Sequence, residues 1–238
     1  MVVLAGLMVF LVHELVSLPA LNRKLRDTPP GGKTPLYLGA AFKLWLVGAG
    51  VLGAWLLEGR AFDPLGFVLP DEGWRGASVW IAGGLVAGFF AYQLFALLLS
   101  HRARHSYRVQ LEKAGEAFRF MPDTAGELRA FSFLGLTAGI TEEVIFRGYL
   151  IWVLGQLVSL PIAAALALLL FGAFHAYQGI GGFVASIVAG GLMTGLFLLS
   201  GSLLPVIVLH ALIDVVNGHA NFVAKRDLGL GQLGLEQA

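Results

Sequence analysis

Six ionisable side chains lie in stretches that otherwise belong in hydrocarbon. Glu142, Glu143 and Arg147 sit in GITEEVIFRGYL, His175 in LLLFGAFHAYQG, and His210 and Asp214 in VIVLHALIDVV. Placing one charge at the middle of a membrane helix costs roughly 2.5–3.5 kcal/mol on insertion scales, so such groups need partners, water or a metal ion. Carboxylates and imidazoles are also the groups that move protons and bind metals near neutral pH. Their convergence at membrane depth marks a candidate functional site.

Spacing assigns provisional roles. Residues four apart share a helix face, so Glu143 and Arg147 are placed to pair. Glu142 lies about 100° round the helix and points toward the bundle interior. Phe171 and His175 share a face, as do His210 and Asp214. Asp214 can orient the His210 ring, fix its tautomer, or join it as a metal ligand. When ionised, Glu142, Glu143 and Asp214 outnumber the one guanidinium, Arg147. The excess negative charge requires protonated histidines, protonated acids or a divalent cation. Two chemistries stay open. In one, His175, His210 and either Glu142 or Asp214 hold Zn²⁺ as a His₂–carboxylate set with an open water position. In the other no cofactor is needed. Glu142 acts as general base on a water that His175 orients, while His210 and Asp214 polarise a carbonyl or hold its oxyanion.

Positioning these groups requires membrane helices. The chain of 238 residues is 57% hydrophobic and only 13% charged, with mean hydropathy +0.79. That composition indicates an all-α, polytopic membrane helix bundle, and the length suits about seven helices of roughly 20 residues each. Net charge is +1 and gives no argument for nucleic acid as a partner. With no cysteine, disulfides, thiolate nucleophiles and Cys-ligated metals are excluded. Apolar runs predict spans near 1–18, 36–57, 79–100, 130–155, 159–178, 182–200 and 203–221, punctuated by Pro and Gly. The first run lacks a basic flank and reads as a retained helix rather than a cleaved signal. Seven crossings put Arg23, Lys24, Arg26 and Lys33, the basic 101–127 segment, and Lys225 with Arg226 on one side. The positive-inside rule makes that side cytoplasmic, with the N-terminus out and the C-terminus in. Within 101–127, Leu111, Phe118 and Met121 suit an interfacial amphipathic helix or a solvated linker equally. The pairs Gly84/Gly88, Gly135/Gly139 and Gly191/Gly195 have the spacing that lets membrane helices approach closely. The chain divides into N-terminal helices and an amphipathic loop over 1–127, a helix core over 128–221 that holds all six ionisable groups, and a tail over 222–238.

The three blocks resemble the CPBP family of intramembrane proteases, which includes CaaX prenyl proteases and the bacteriocin-processing and immunity (Abi) proteins. That family's pattern is EExxxR, FxxxH and HxxxN or HxxxD on successive membrane helices. Here it falls on Glu142 to Arg147, Phe171 to His175 and His210 to Asp214. The likeness covers roughly 128–221; residues 1–127 carry no matching motif. It implies an intramembrane endopeptidase in which Glu142 is the catalytic base, His175 helps activate water, His210 and residue 214 serve the oxyanion, and Glu143 with Arg147 form a supporting ion pair. It favours a metal-free, glutamate-dependent mechanism. The Asp at 214 weighs the other way, because an ionised Asp only accepts hydrogen bonds where Asn also donates.

The implied partners are the lipid bilayer and a membrane-associated or lipid-modified peptide or protein. The implied location is a bacterial or archaeal plasma membrane. A non-catalytic immunity or scaffold protein of the same family is the alternative reading, and an ion or proton carrier a third. Oligomeric state is not legible. One depth condition follows from a rise of about 1.5 Å per residue. Glu142, His175 and His210 reach one level only if the last span begins deep, after a break at Ser200-Gly201-Ser202 inside the protein. A cavity reached from the cytoplasmic side is expected. His13, Glu14, His101 and His105 are expected at headgroups or in solvent, with Asn217 and His219 near the site mouth.

Overall fold

The computed structural model describes residues 2–70, 72–113 and 119–231. Eight principal helices follow one another: α1 (Val2–Asp27), α2 (Thr34–Leu57), α3 (Trp74–Leu99), α4 (His101–Lys113), α5 (Ala125–Glu142), α6 (Leu160–Phe174), α7 (Gly179–Ser200) and α8 (Leu204–Gly231). The axis of α5 continues through a π-helical stretch, Glu143–Leu150, and a short helix, Ile151–Gly155. Among the described residues there is no strand. The apolar runs form helices because a helix satisfies its own backbone hydrogen bonds, which lipid cannot do.

Five stretches are long and apolar enough to cross a membrane, one of them Leu160–Ser200. That stretch doubles back. Gly172 lies against Phe183 and Ile187, and Leu168 against Gly190 and Gly191, so α6 and α7 run antiparallel. The helical run through α5, which carries the EExxxR block, is not among the five. The chain is a polytopic membrane helix bundle. The large apolar side chains of α3, including Ile81, Leu85, Phe89 and Phe95, are exposed, as suits a helix facing hydrocarbon.

α5 lies at the centre, packed on α2 and α8. Gly139 makes the second contact possible: a Cβ there would lie 2.7 Å from the Ala211 backbone nitrogen. A Cβ on Gly135 would lie 2.9 Å from the Asp214 Cβ. In lipid, where apolar burial does not pull helices together, such small-residue contacts supply close packing. Of the three glycine pairs the spacing singled out, Gly135/Gly139 is the one in tight contact. Gly84, Gly88 and Gly195 meet nothing, because they face outward. The tight glycine of α7 is Gly190, one residue before the expected pair.

The basic segments share one end of the bundle. Lys33 Nζ donates to Asp123 Oδ2 (2.5 Å) and Lys225 Nζ to Asp123 Oδ1 (2.6 Å), and both lysines also donate to the Met121 carbonyl. Thr124 caps α5 by accepting from the Glu127 N–H. Buried Glu127 in turn accepts the N–H groups of Lys33 and Asp123. This variation on the capping box clasps the α1–α2 loop, the start of α5 and the end of α8 together. At the other end, the Leu203 N–H donates to the Gly66 carbonyl and Ser202 Oγ to the Val68 carbonyl. Ser202 and Leu203 are fully buried, so α8 starts inside the protein beneath the 62–68 segment. The expected break before the last span is thus buried within the protein. In the 101–127 segment, α4 buries no side chain, Met121 packs against the core beside Phe131, and Phe118 lies outside the described residues.

Candidate active site

The site is built where α5, α6, α7 and α8 meet. The EExxxR block adopts a π-helical coil in which the Ile151 N–H bonds to the Phe146 carbonyl, five residues back. Such widened turns occur mostly at functional sites. Glu143 and Arg147 remain on one face: Arg147 Nη1 donates to Glu143 Oε1 at 2.8 Å. Both side chains are essentially without solvent exposure. Arg147 is held on three further sides. Nη2 donates to the Gly190 carbonyl (3.1 Å), Nε to Thr194 Oγ1 (3.4 Å), and the guanidinium stacks 4.2 Å from the Phe171 ring centre. Each contact supplies a partner that a buried cation requires.

The same carboxylate oxygen also holds His210, whose Nδ1 lies 2.6 Å from Glu143 Oε1. With Glu143 ionised opposite Arg147, the proton sits on Nδ1 and the bond fixes the ring. Spacing had linked His210 to Asp214 alone. In the structure the ring is oriented from α5, and Asp214 Oδ2 lies 3.7 Å from His210 Nε2, in ion-pair range but too long for a hydrogen bond. The reason is the close approach at Gly139 and Ala211, which brings residue 210 onto the Glu143 face. Arg147, Glu143 and His210 thus form a continuous chain rather than a separate ion pair and His–Asp pair.

His175 begins a 3₁₀ turn, His175–Gln178. Its Nδ1 lies 2.9 Å from the Phe171 carbonyl, an acceptor, so Nδ1 carries the proton and Nε2 keeps its lone pair. Phe171 stands between the two imidazoles, 4.6 Å from His175 and 6.0 Å from His210 between ring centres. α6 has 15 residues and rises only about 22 Å, short of the ~30 Å hydrocarbon thickness. Asp214 lies within electrostatic reach of His210, Glu142 and His175.

Glu142 and Glu143 each have a buried Oε2 without a hydrogen-bond partner, but they differ at the other oxygen: Glu143 Oε1 holds Arg147 and His210, whereas none of the other five ionisable groups bonds to Glu142. A buried polar atom without a partner calls for explanation, and an unrecorded water is the common one. Among the described residues, no three His, Cys, Asp or Glu side chains converge to hold a metal ion. The His175, His210 and Glu142 or Asp214 set is therefore not gathered as a ligand group in this arrangement.

Residues 124–216 match the family described as Rce1-like, type II CAAX prenyl endopeptidase. That segment is similar to the CAAX-type protease family over well under half of the chain. The matched segment holds all six residues of the site, and the match supports a CAAX-type intramembrane protease in general terms. No curated protein and no solved structure matches the chain.

Around the matched segment, sequence reasoning overlooked the Arg147 cradle. Its signal was a Gly and a Thr four apart, Gly190 and Thr194, on an otherwise apolar helix. The minor candidates fall elsewhere. Glu14 pairs with Lys43 at 2.6 Å. His219 Nδ1 bonds to the Val215 carbonyl on its own helix. A cavity of about 220 Å³ at the end opposite the clasp is lined by Trp55, Glu58, Arg60, Tyr149 and Trp152 among others, and none of the six site residues reaches it.

Proposed function

We propose that the chain is an endopeptidase that hydrolyses a peptide bond of a membrane-associated or lipid-modified peptide or protein, with water activated by Glu142 and His175 and no metal ion. The observation that carries this reading is the partnerless buried Oε2 of Glu142. In the same core lies an imidazole, His175, whose tautomer leaves Nε2 free to accept. A water held between such groups would have one proton acceptor and one orienting acceptor.

The reaction balances on these residues. Water oxygen attacks the scissile carbonyl carbon, and Glu142 takes one water proton. The carbonyl π pair moves onto oxygen. When it returns, the C–N bond breaks and Glu142 passes its proton to the leaving nitrogen, restoring the carboxylate. The chain from Arg147 through Glu143 to His210 has no proton to transfer; it holds the His210 ring so that Nε2 faces the site. As an imidazolium, His210 stabilises the oxyanion from that side. The charge count then closes with protons. Arg147 and His210 balance Glu143 and Asp214, and Glu142 is the one carboxyl left to gain and lose a proton.

The clasped end carries the basic loops, which supports assigning it to the cytoplasm with the N-terminus outside. His175 and Tyr177 lie toward that end, since Tyr177 packs on Phe120 beside the clasp. Substrate entry from the cytoplasmic side follows.

The test uses purified protein in proteoliposomes with a quenched fluorescent peptide ending in a farnesylated Cys-aliphatic-aliphatic-X sequence. The unprenylated peptide is the comparator, and each is run with and without a chelator. Wild type should cleave the prenylated peptide with chelator present, and Glu142→Gln should leave it intact while remaining folded. Full cleavage by Glu142→Gln, or an inert wild type, overturns the reading. Loss with chelator and recovery with zinc overturns its metal-free part.

A further inference from the structure

We propose that the Tyr177 hydroxyl is an additional catalytic donor, hydrogen-bonding the oxyanion that forms on the scissile carbonyl. The proposal rests on the glutamate–histidine protease reading above and names a residue outside the three motif blocks.

The argument begins with what the motif residues do not supply. A developing oxyanion needs N–H or O–H donors aimed at it. His210 Nδ1 is committed to Glu143, and its other nitrogen faces the Asp214 carboxylate. An ionised Asp214 accepts and cannot donate. His175 donates its one proton to the Phe171 carbonyl. Arg147 is enclosed by Glu143, Gly190, Thr194 and Phe171. The motif residues therefore leave the imidazolium Nε2–H of His210, 3.7 Å from Asp214, as their one donor toward an oxyanion that a set of donors holds better.

Tyr177 is built to fill that gap. It lies two residues after His175 in the same 3₁₀ turn, which ends at Gly179 with φ +80°. Its ring stacks beside the His175 ring, 6.3 Å between centres at 29°, and takes the edge of Phe120 at 5.1 Å. The hydroxyl oxygen accepts from Gln178 Nε2 at 2.9 Å. That bond uses an oxygen lone pair and leaves the phenolic proton unassigned. The Tyr177 ring thus lies beside His175, and its hydroxyl is within electrostatic reach of Glu142 and Asp214. Gln178 is itself wedged in place: a Cβ on Gly182 would lie 2.2 Å from the Gln178 Cβ. Gly182 thus allows the first turn of α7 to seat the amide that orients the phenol.

In the proposed step the Tyr177 O–H bond does not break. The hydroxyl donates a hydrogen bond as the carbonyl electrons move onto oxygen, and the bond weakens again when the C–N bond breaks. Glu142 handles the only proton transferred.

The experiment compares wild type, Tyr177→Phe, Gln178→Ala and Glu142→Gln in the proteoliposome assay with the farnesylated peptide. Phe keeps the ring between Phe120 and His175 and removes only the hydroxyl. Tyr177→Phe should lower kcat by about 100-fold, the low end for losing one oxyanion donor, with KM and unfolding midpoint close to wild type. It should weaken binding of a phosphonate analogue of the tetrahedral intermediate by the same factor as kcat/KM. Gln178→Ala should lower kcat by a smaller factor and serves if the Phe variant does not fold. A packing role would change the unfolding midpoint and leave analogue binding in step with KM. Wild-type kcat in Tyr177→Phe, with Glu142→Gln inert, overturns the Tyr177 assignment alone. Activity in Glu142→Gln overturns the protease reading and this proposal with it.

Discussion

Removing Arg147 tests the electrostatic logic of the site most directly. Arg147→Ala deletes the 2.8 Å bond to Glu143, the bond to the Gly190 carbonyl and the cation over Phe171. Glu143 has no solvent exposure, and its Oε2 already lacks a partner. After the change only His210 remains to offset its charge. Breaking a buried pair by removing one partner costs roughly 3–5 kcal/mol, because the other charge stays buried. A loss of that size shifts the unfolding equilibrium by about 10²- to 10⁴-fold. The assay is reversible unfolding in mixed micelles, followed by the fluorescence of Trp55 and Trp152 in the core. Replacing the pair together, Glu143→Leu with Arg147→Leu, removes both charges and should recover most of the stability. It should not recover cleavage, since His210 loses the carboxylate that orients its ring. A loss below about 1 kcal/mol in Arg147→Ala, the range of exposed pairs, would falsify the claim that Glu143 is ionised and held by Arg147. So would full activity in the double variant.

Two further outcomes follow. Gly139→Leu forces a side chain into the Ala211 backbone and should cost about 1–3 kcal/mol or more, as overpacking does. It should also abolish cleavage by moving His210 off Glu143, and an active, stable variant would refute the close-approach argument. At the clasp, burial works to raise the Asp123 carboxyl, but hydrogen bonds from Lys225 and Lys33 outweigh it and hold the carboxyl below its usual value. A depressed folded-state value contributes stability above the ordinary Asp range that is lost as pH falls through the folded value. Wild type should therefore lose midpoint stability on acidification below about pH 4. Asp123→Asn should start lower and show less of that loss; parallel profiles would count against the clasp.

Much of the architecture was legible because its causes are local. Apolar runs of about 20 residues admit few structures in lipid, and basic loops sort to one end. The lysines that suggested this sorting, Lys33 and Lys225, meet at one carboxylate, Asp123. The Thr124–Glu127 cap was readable too, since Ser or Thr followed by Glu three residues on is a helix-start signal; that signal was missed. The Arg147 cradle, by contrast, had only the faint mark of Gly190 and Thr194. It depends on how α7 folds back along α6, which no periodicity encodes.

The sequence by itself determined which side chains must be accounted for. Six ionisable groups in hydrocarbon cannot stand alone, and the four-residue spacing already joined Glu143 to Arg147. It left the partner of each remaining group open, because spacing along one helix says nothing about the helix opposite. Tertiary structure decided that. The π-helical coil and the Gly139–Ala211 contact carry His210 onto Glu143, while the buried start of α8 levels it with the site. Glu142 is left as the carboxyl of the EExxxR block that bonds none of the other five groups. Which acid supports and which remains free for chemistry is a matter of distances between helices, and only packing sets those.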